Sequence, residues 1–242
     1  MLPYSKSLLI IPTYNEIDNI EKMLNAIDEL YPELNILILD DGSPDGTAEV
    51  VKKRQQQKEN LHLIQRSGKL GLGTAYITGF KYALERDFQY VFEMDCDFSH
   101  DPKDIKRLLE AAQTNDLVIG SRYIDGIRII NWPMRRLLLS YFAGVYTRWI
   151  TGLKVLDATG GFKCFTRKAL ESLDLDKVLS NGYSFQIELN YKIWSKGMKV
   201  KEVPIVFTER RDGQSKMSGG IIYEAVFAVI FLRIRKIFGA LN

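Results

Sequence analysis

Two aspartates, Asp95 and Asp97, are separated by one residue and follow an apolar run that is typical of a buried strand. The direction of the backbone is fixed where a strand ends, so both carboxylates can converge on one cation. Hard divalent ions such as Mg²⁺ and Mn²⁺ prefer oxygen ligands and often bind phosphate oxygens as well. Because acidic residues are also common in loops after strands, this interpretation needs support from the rest of the chain.

Two further loops have compositions suited to binding a nucleotide. Asp40 and Asp41 end a second apolar run and open the turn 40–47. Turn geometry explains the glycines of that turn, but it does not explain two adjacent carboxylates unless they bind a group such as a ribose or a base edge. Residues 66–73 are rich in glycine and include Lys69, so their backbone amides can approach a phosphate, although the loop is not a Walker A motif.

The elements that must position these loops alternate between strand and helix. Continuous apolar runs predict five strands, at 7–12, 35–40, 61–65, 89–95 and 116–120, with helical stretches between them. This order predicts an α/β fold in which a mostly parallel sheet is covered by helices on both faces. Ligands of such sheets bind beyond the carboxyl ends of the strands, which is where these polar residues lie. The pattern therefore predicts one site on one rim of the sheet.

The second half of the chain combines apolar residues with cations. Residues 127–156 contain Arg and Lys but no Asp or Glu, which favours an anionic or membrane-surface partner over a plain core helix. A C-terminal helix is predicted from about 220 to 241. Its apolar run, 221–232, is shorter than the roughly 20 residues that cross a bilayer, so we expect it to lie on a surface. Packing on the domain, or on another subunit, is the alternative.

Composition excludes several classes of protein. The 242 residues fit one domain, and 46% hydrophobic with 26% charged residues is typical of a globular chain. The 33 Lys and Arg nearly balance the 30 Asp and Glu, which gives no reason to expect nucleic-acid binding. Cys96 and Cys164 have no spacing typical of a zinc or redox site, and no signal peptide is predicted, so we expect a cytosolic chain.

A series of motifs resembles the family-2 glycosyltransferases of GT-A (Rossmann-like) fold, and among them the polyprenyl- and dolichyl-phosphate mannose synthases. The motifs are PTYNE at 12–16, DDGSPDGT at 40–47, GKLGLGTAY at 68–76, DCDFSHDP at 95–102, GSRY at 120–123, TGGFKCF at 159–165, GYSFQIEL at 182–189 and ERRDGQSKMS at 209–218. The first two mark many glycosyltransferases, whereas the ordered set is far more specific. The resemblance implies a GT-A catalytic domain over 1–218 and an amphipathic or membrane-associated helix over 219–242.

The resemblance also implies roles for the residues that match these motifs. Binding of the nucleotide sugar is expected at Pro12, Tyr14, Glu16, Asp40, Asp41, Lys69, Asp95, Arg210 and Lys216. Asp95 and Asp97 would hold Mg²⁺ or Mn²⁺, and Asp97 and Arg210 are the expected catalytic residues. Arg210 would reach over the donor diphosphate, with Ser215 and Lys216 on the same loop. Arg122, Arg136 and Ser140 would hold the acceptor phosphate, and the last two share a helix face because they are four residues apart.

The implied reaction is inverting transfer of a mannosyl group from GDP-mannose to a polyprenyl (dolichyl-type) monophosphate. A lipid phosphate is substantially ionised near neutral pH, so it needs positioning more than a base. An acceptor hydroxyl would need a base, for which His100 is a candidate beside its simpler role at a helix start. Some relatives carry Gln at the position of Ser99, which leaves a third side-chain metal ligand open.

We expect a cytoplasmic protein that is peripheral at the inner face of the cytoplasmic membrane. A small membrane-anchor partner is compatible with this location, and no nucleic-acid partner is expected. Two alternatives stay open: a related family-2 glycosyltransferase that uses UDP-glucose or another nucleotide sugar on a lipid phosphate or a sugar hydroxyl, and a non-catalytic nucleotide-sugar-binding module. Loss of either aspartate of the metal pair, or of Arg210, would favour the module, and these residues are present.

Overall fold

A computed structural model describes residues 2–178, 180, 182–209, 219–239 and 241, with the backbone alone for 183 and 219–225. The strands are β1 (Ser7–Thr13), β2 (Asn35–Asp40), β3 (Leu61–Gln65), β4 (Tyr90–Glu93), β5 (Leu117–Ser121), β6 (Ile129–Ile130), β7 (Lys163–Thr166), β8 (Val200–Pro204) and β9 (Phe207–Thr208). The main sheet has the order β3-β2-β1-β4-β7-β5-β8. Among these described strands only β7 runs antiparallel to its neighbours. The predicted mostly parallel α/β sheet is confirmed.

The central strands are apolar along their length because helices cover both faces of the sheet. In β1 the side chains of Leu8, Leu9, Ile10 and Ile11 are fully buried. Successive side chains point to opposite faces, so Leu8 and Ile10 join one core cluster while Leu9 and Ile11 join the other. Burial of each such side chain stabilises the fold by roughly 1.5–3 kcal/mol.

The helices that cover the sheet carry apolar residues at helical spacing. They are α1 (Ile17–Leu30), α2 (Thr47–Gln55), α3 (Leu72–Leu84), α4 (Asp104–Ala112), α5 (Met134–Thr151), α6 (Arg167–Glu171), α7 (Gly182–Ser195) and α8 (Gly219–Ile237). In α1, Ile20, Leu24 and Ile27 lie on one face and are buried in one core cluster. Helices α3 and α7 contribute Phe80 and Phe185 to the cluster on the other face.

Strands β7 and β8 were not anticipated from the sequence. Their sequences, KCFT and VKEVP, are short and interrupted by charged residues, so no continuous apolar run marks them. Lys163 in β7 is nevertheless fully buried, and Glu202 in β8 is 9% exposed. These charged positions belong to hydrogen-bond networks near the site, which a hydrophobic pattern does not reveal.

A small parallel pair, β6 and β9, joins three parts of the chain beside the main sheet. The backbone N–H of Phe207 donates to the Arg128 carbonyl at 2.9 Å, and that of Glu209 donates to the Ile130 carbonyl at 3.1 Å. The N–H of Thr208 donates to the Ser99 carbonyl at 3.3 Å. The start of the cationic segment is therefore held next to the turn that follows β4.

Helix α8 packs on α5 and α7 through one face and leaves the other face open. Val229 and Leu232 are buried in the core, and the Tyr146 hydroxyl on α5 donates to the Val226 carbonyl at 3.1 Å. The α5–α8 surface comprises the exposed apolar residues of both helices and Phe238, which follows α8 directly: Met134, Leu138, Phe142, Trp149, Phe227, Phe231, Ile234, Ile237 and Phe238. Within the described residues, no helix combines the length and the apolar character that crossing a membrane requires.

Candidate active site

The loops after β1 and β2 are hydrogen-bonded to each other at the carboxyl edge of the sheet. The backbone N–H of Asp41 donates to the Thr13 carbonyl at 3.0 Å, and that of Asn15 donates to the Ser43 hydroxyl at 3.0 Å. Asn15 has a φ of 58°, a left-handed conformation that Asn adopts more readily than most residues. This turn carries the predicted nucleotide-binding residues Tyr14 and Glu16, and Pro12 lies just before it at the end of β1.

The carboxylate of Asp40 is fully buried and makes its hydrogen bonds within the protein. Oδ1 accepts from the Thr13 hydroxyl at 3.0 Å and from the Ser43 hydroxyl at 2.5 Å, while Oδ2 accepts from the Ser43 N–H at 2.9 Å. These bonds hold the turn 40–43 against β1. The geometry gives Asp40 a positioning role, and its direct contact with a nucleotide stays a prediction.

Asp41 is paired with Arg66, which follows β3. The Arg66 Nε donates to Asp41 Oδ1 at 2.6 Å, and its Nη1 donates to the Thr74 hydroxyl at 2.8 Å. Arg66 therefore connects the end of β2 to the glycine-rich loop and to the start of α3. The ammonium group of Lys69 in that loop lies 4.7 Å from the centroid of the Tyr14 ring. Predicted nucleotide-binding residues from three separate loops thus meet on one rim.

Asp95 and Asp97 lie just beyond β4 in a turn with an unusual backbone. Phe98 has a φ of 58°, a conformation that is costly for a bulky residue and is found mainly where function requires it. Ser99 donates to Asp97 Oδ1 from its N–H at 3.0 Å and from its hydroxyl at 2.6 Å. The Ser99 side chain therefore orients the Asp97 carboxylate.

His100 supports this turn from beneath. Its ring is buried, with centroids 5.1 Å from the Phe162 ring and 5.4 Å from the Phe207 ring. Nδ1 of His100 accepts the backbone N–H of Asp95 at 3.3 Å. Burial lowers the pKa of His100 to about 4, although the nearby Asp97 opposes this shift. The arrangement favours a structural role for His100 over that of a catalytic base.

Several motif residues meet below the turn in a buried polar cluster. Glu93 and Lys163 are register partners on β4 and β7, and both are fully buried. Burial raises the pKa of Glu93 to about 7 and lowers the pKa of Lys163 to about 8. The Lys163 ammonium donates to the Gln186 side-chain carbonyl, and the buried Tyr76 hydroxyl has no hydrogen-bond partner among the described residues. The motifs at 68–76, 159–165 and 182–189 therefore each contribute a residue to a buried polar cluster close to the aspartate turn.

Arg122 is 5% exposed and is paired with Asp157. Its Nε and Nη2 donate to Oδ2 and Oδ1 of Asp157 at 2.7 Å and 2.6 Å, and Nη2 also donates to the Thr159 hydroxyl at 2.9 Å. The N–H of Asp157 donates to Glu202 Oε1 at 2.9 Å. The charge of Arg122 is thus matched within the protein, and its contact with an acceptor phosphate stays a prediction.

Arg136 lies in the first turn of α5, with its guanidinium carbon 4.0 Å from the centroid of the Trp132 ring. Its partner is the carboxylate of Glu209. The hydroxyl of Ser140, one turn later, accepts from the Tyr123 hydroxyl at 2.7 Å. The guanidinium carbon of Arg122 lies 5.4 Å from the centroid of the same Trp132 ring. The structure therefore brings the three predicted acceptor residues together around Trp132 and Tyr123.

Other predicted residues, Arg210, Ser215 and Lys216, lie outside the described residues. The sequence interpretation also missed partners that hold the site: Arg66, Asp157, Glu202 and Glu209. Arg66 carried a usable signal, since it follows a predicted strand as the other site residues do. The pairs formed by Asp157, Glu202 and Glu209 join positions that are distant along the chain, so spacing does not reveal them.

The chemistry of the aspartate turn fits a hard divalent cation. Burial, followed by the nearby carboxylates of Glu16, Asp97 and Asp95, raises the pKa of the Cys96 thiol, so negative charge is concentrated at this turn. The described residues contain no group of three or more His, Cys, Asp or Glu arranged to hold a metal ion. Mg²⁺ sites built on one or two carboxylates are completed by substrate phosphates and water.

A family model described as glycosyl transferase family 2 matches residues 8–174. The chain belongs to this family. It is therefore a glycosyltransferase, and the aspartate turn and the rim of loops around it are its candidate active site.

Two curated relatives are similar over nearly the whole chain. The undecaprenyl-phosphate mannosyltransferase of Micrococcus luteus is 44% identical over 222 residues, covering 92% of this chain and 91% of the relative. The polyprenol monophosphomannose synthase of Mycolicibacterium smegmatis is 44% identical over 229 residues, covering 94% and 86%.

Solved structures confirm the GT-A-like fold. The glucosyl-3-phosphoglycerate synthase of Mycobacterium tuberculosis, in complex with Mn²⁺, UDP-glucose and phosphoglyceric acid, matches with a TM-score of 0.66 and 19% sequence identity. The match covers 94% of this chain and 79% of that one. At this level of identity the likeness concerns the fold alone.

Proposed function

We propose that this glycosyltransferase transfers a mannosyl group from GDP-mannose to a polyprenyl (dolichyl-type) monophosphate, with inversion at the anomeric carbon. The observation that carries the proposal is the 44% identity, over nearly the whole chain, to relatives named for mannosyl transfer to undecaprenyl phosphate and to polyprenol phosphate. The choice of GDP as the nucleotide rests on the resemblance of the ordered motifs. Products of the reaction are polyprenyl-phosphate mannose and GDP.

On the donor side, the loops after β1, β2 and β3 would bind the nucleoside. Both described contacts from Arg66 reach Oδ1 of Asp41, so Oδ2 can accept from a ribose hydroxyl or a base N–H. Tyr14 and Lys69 lie on the same rim, with the exposed ammonium group of Lys69 available to a diphosphate. Asp40 keeps the turn in place through its three internal hydrogen bonds.

Asp95 and Asp97 would hold the divalent cation, Mg²⁺ or Mn²⁺, against the donor diphosphate. Bound there, the ion neutralises negative charge that develops on the departing diphosphate. Ser99 orients the Asp97 carboxylate, and His100 holds the backbone at Asp95. The Mn²⁺ and nucleotide sugar named for the M. tuberculosis neighbour support this assignment.

In the transfer step an oxygen of the lipid phosphate attacks C1 of mannose from the face opposite GDP. The bond from C1 to the GDP oxygen breaks as the bond from C1 to the lipid phosphate oxygen forms, and GDP leaves with the electron pair. The phosphate has a second pKa of about 6, so near pH 7 it attacks without losing a proton. The protein then has to position and neutralise two anions, and the reaction needs no general base. This agrees with the structural role of His100, which is buried and accepts the Asp95 N–H.

The acceptor side would face a membrane. The α5–α8 surface is apolar, and the same two helices carry the cations Arg135, Arg148, Arg233, Arg235 and Lys236. Cations near an anionic leaflet contribute about 1 kcal/mol each to binding. We propose that this surface lies on the inner face of the cytoplasmic membrane, alone or with a small membrane-anchor partner, so that Arg136 and Ser140 meet the lipid phosphate at the level of the headgroups.

A second candidate function is transfer from another nucleotide sugar, such as UDP-glucose, to a different acceptor. The M. tuberculosis neighbour, which was solved with UDP-glucose and phosphoglyceric acid, shows that the same fold accommodates such ligands. The two candidates share the aspartate pair and differ in a few contacts to the base, the sugar and the acceptor.

A matched panel of donors and acceptors separates these candidates. Purified protein is incubated with Mg²⁺ or Mn²⁺, labelled GDP-mannose or UDP-glucose, and either polyprenyl phosphate or phosphoglyceric acid. We expect label in the organic phase only with GDP-mannose and polyprenyl phosphate, and none with Asp97→Ala. Faster transfer from UDP-glucose, or to phosphoglyceric acid, would favour the second candidate.

A further inference from the structure

The carboxylate of Glu209 occupies the cluster in which the acceptor phosphate is expected to bind. Nη1 of Arg136 donates to Oε1 of Glu209, and the two side chains are 18% and 22% exposed. The segment 127–156 that contains Arg136 has no Asp or Glu of its own. Glu209 follows β9 and is held there by its N–H, which donates to the Ile130 carbonyl at 3.1 Å.

This pair leaves buried polar atoms unsatisfied. Nε of Arg136, Oε2 of Glu209 and the indole Nε1 of Trp132 are each buried without a hydrogen-bond partner in the described part of the chain. A favourable Arg–carboxylate pair commonly forms two parallel N–H···O bonds, which would satisfy a second guanidinium nitrogen and the second oxygen. A single bond therefore leaves Arg136 only partly matched by Glu209.

A phosphate group matches the unsatisfied donors better than a carboxylate does. The Arg136 guanidinium lies 4.0 Å above the Trp132 ring, which places Nη1, Nε and the indole N–H in one cluster. A phosphate monoester has three terminal oxygens directed tetrahedrally, whereas a carboxylate has two oxygens in one plane. The phosphate also carries more charge, and hydrogen bonds to charged groups are the stronger ones.

We propose that Glu209 is a placeholder for the acceptor: its carboxylate neutralises Arg136 until the lipid phosphate replaces it. This inference rests on the proposed lipid-phosphate acceptor. Glu209 is then a residue that determines specificity, because an acceptor must displace a carboxylate before it binds. A dianionic phosphate does so, and a neutral hydroxyl acceptor does not.

Removal of the charge from Glu209 tests the exchange. Because wild-type Arg136 must first release Glu209, the apparent acceptor affinity is reduced by the fraction of protein in the paired state. The Glu209→Gln variant should therefore use a short-chain polyprenyl phosphate with a KM about tenfold lower than that of the wild type. Glu171→Gln is the matched control, since Glu171 pairs with Arg167 at 2.7 Å on α6 and should not alter this KM.

The indole N–H of Trp132 gives a second measurement that does not depend on turnover. The chain has 3 Trp residues, and Trp132→Phe identifies the signal of Trp132 in a ¹⁵N spectrum. Titration of the wild type with short-chain polyprenyl phosphate should shift this signal, and Glu209→Gln should reach half-saturation at about a tenfold lower concentration.

The outcomes separate this inference from the proposed function. If the wild type transfers mannose to no lipid phosphate, the proposed function fails and the placeholder role fails with it. If the wild type is active but Glu209→Gln has an unchanged or higher acceptor KM, only the placeholder role fails. Glu209 would then be a structural link between β9 and α5. An indole signal that does not respond to the lipid phosphate would also contradict the inference.

Discussion

Two arginines that the motifs assign to one phosphate have different surroundings at the residue scale. Arg122 is 5% exposed, with Nε and Nη2 both bonded to Asp157, which is itself buried. Arg136 is more exposed and makes one described bond, to Glu209, through Nη1. The Arg122–Asp157 pair is part of the fold, whereas in the Arg136–Glu209 pair another anion can replace the carboxylate. Substitutions of the two arginines should therefore have different consequences.

Arg122→Ala should mainly reduce stability. The substitution leaves the Asp157 carboxylate buried without its partner, and breaking a buried pair in this way costs about 3–5 kcal/mol. Chemical denaturation should show that loss in the free energy of unfolding. Lys52→Ala, which breaks an exposed pair with Glu49 on α2, should cost about 1 kcal/mol or less. Equal stabilities of Arg122→Ala and the wild type would refute a structural role for this pair.

Arg136→Ala should mainly weaken use of the acceptor. Loss of a charged hydrogen-bond partner costs about 1.5–3 kcal/mol, which corresponds to roughly a ten- to hundredfold rise in acceptor KM. The KM for GDP-mannose should change much less, because the described contacts of the Arg136 side chain are with Trp132 and Glu209 and not with the donor loops. Steady-state kinetics with each substrate varied in turn measures both values. An unchanged acceptor KM and kcat would reject the assignment.

The aspartate pair gives a prediction about the metal. Asp97→Ala should abolish transfer, since it removes one of the two carboxylates expected to hold the cation. The Asp97 carboxylate accepts from both the N–H and the hydroxyl of Ser99. Ser99→Ala is the matched control, because it removes one hydrogen bond to Asp97 but keeps both carboxylates. It should keep most of the activity, and excess EDTA should stop the wild type. Turnover in EDTA comparable with that in Mg²⁺ would show that no divalent cation is needed.

The motifs allowed the site positions to be predicted but not their partners. Asp41, Lys69, Asp95 and Asp97 follow strand ends, and parallel strands bring such ends to one rim. The pairing of Arg122 with Asp157 depends instead on contacts between residues 35 positions apart. No local spacing contains that information.

At the element scale, β8 secures the acceptor side of the site. Glu202 on this strand accepts from the Ser121 hydroxyl at 2.7 Å, from the Asp157 N–H at 2.9 Å and from the Leu156 N–H at 2.8 Å. One side chain therefore connects β8, β5 and the loop that holds Asp157. The position of Arg122 depends on this element, because Asp157 is its partner.

Glu202→Ala should loosen that connection. It leaves two backbone N–H groups and one hydroxyl without their acceptor, and each buried group left unsatisfied costs about 1–3 kcal/mol. We expect the free energy of unfolding to fall by at least about 2 kcal/mol, measured by chemical denaturation. Glu171→Ala, at an exposed position on α6, should change it by no more than about 0.5 kcal/mol. Similar effects of the two substitutions would contradict the role of β8.

The elements differed in how well the sequence predicted them. Strands β1 and β2 were evident because a strand buried on both faces is apolar throughout. Strands β7 and β8 were not, because Lys163 and Glu202 interrupt them to complete polar networks. Hydrophobic periodicity identifies a strand by the apolar side chains that it buries in the core. It therefore misses strands that bury charged side chains in polar networks near the site.

At the scale of the whole molecule, many exposed apolar side chains belong to two helices that pack on each other, α5 and α8. Phe227 on α8 and Phe238 directly after it are 69% and 80% exposed, and Trp149 on α5 is 81% exposed. Val229 and Leu232 on the opposite face of α8 are buried in the core. The interpretation that the C-terminal helix packs on the domain is therefore correct for this buried face, and its contact with a membrane stays a prediction for the exposed face. Substitutions on the exposed face test that prediction without removing the core contacts.

The full chain should float with anionic liposomes at low salt. Substitution of Phe227 and Phe238 by Ser should reduce flotation strongly, because it removes apolar rings that we expect to insert between the lipids. High salt should weaken binding further, since it screens the cations near the surface. Leu30→Ser, at an exposed apolar position on α1, is the control and should float as the wild type does. Failure of the wild type to float at low salt would refute the membrane-surface proposal.

The identity of the product tests the central claim most directly. The protein is incubated with GDP-mannose, polyprenyl phosphate and Mg²⁺, and the lipid product is characterised by ³¹P and ¹H NMR. We expect a phosphodiester that joins the lipid to C1 of mannose, with the anomeric configuration inverted from that of the donor and one GDP released per mannose transferred. Mannose joined to a hydroxyl group, retention of the donor's configuration, or release of GDP without a lipid product would contradict the account.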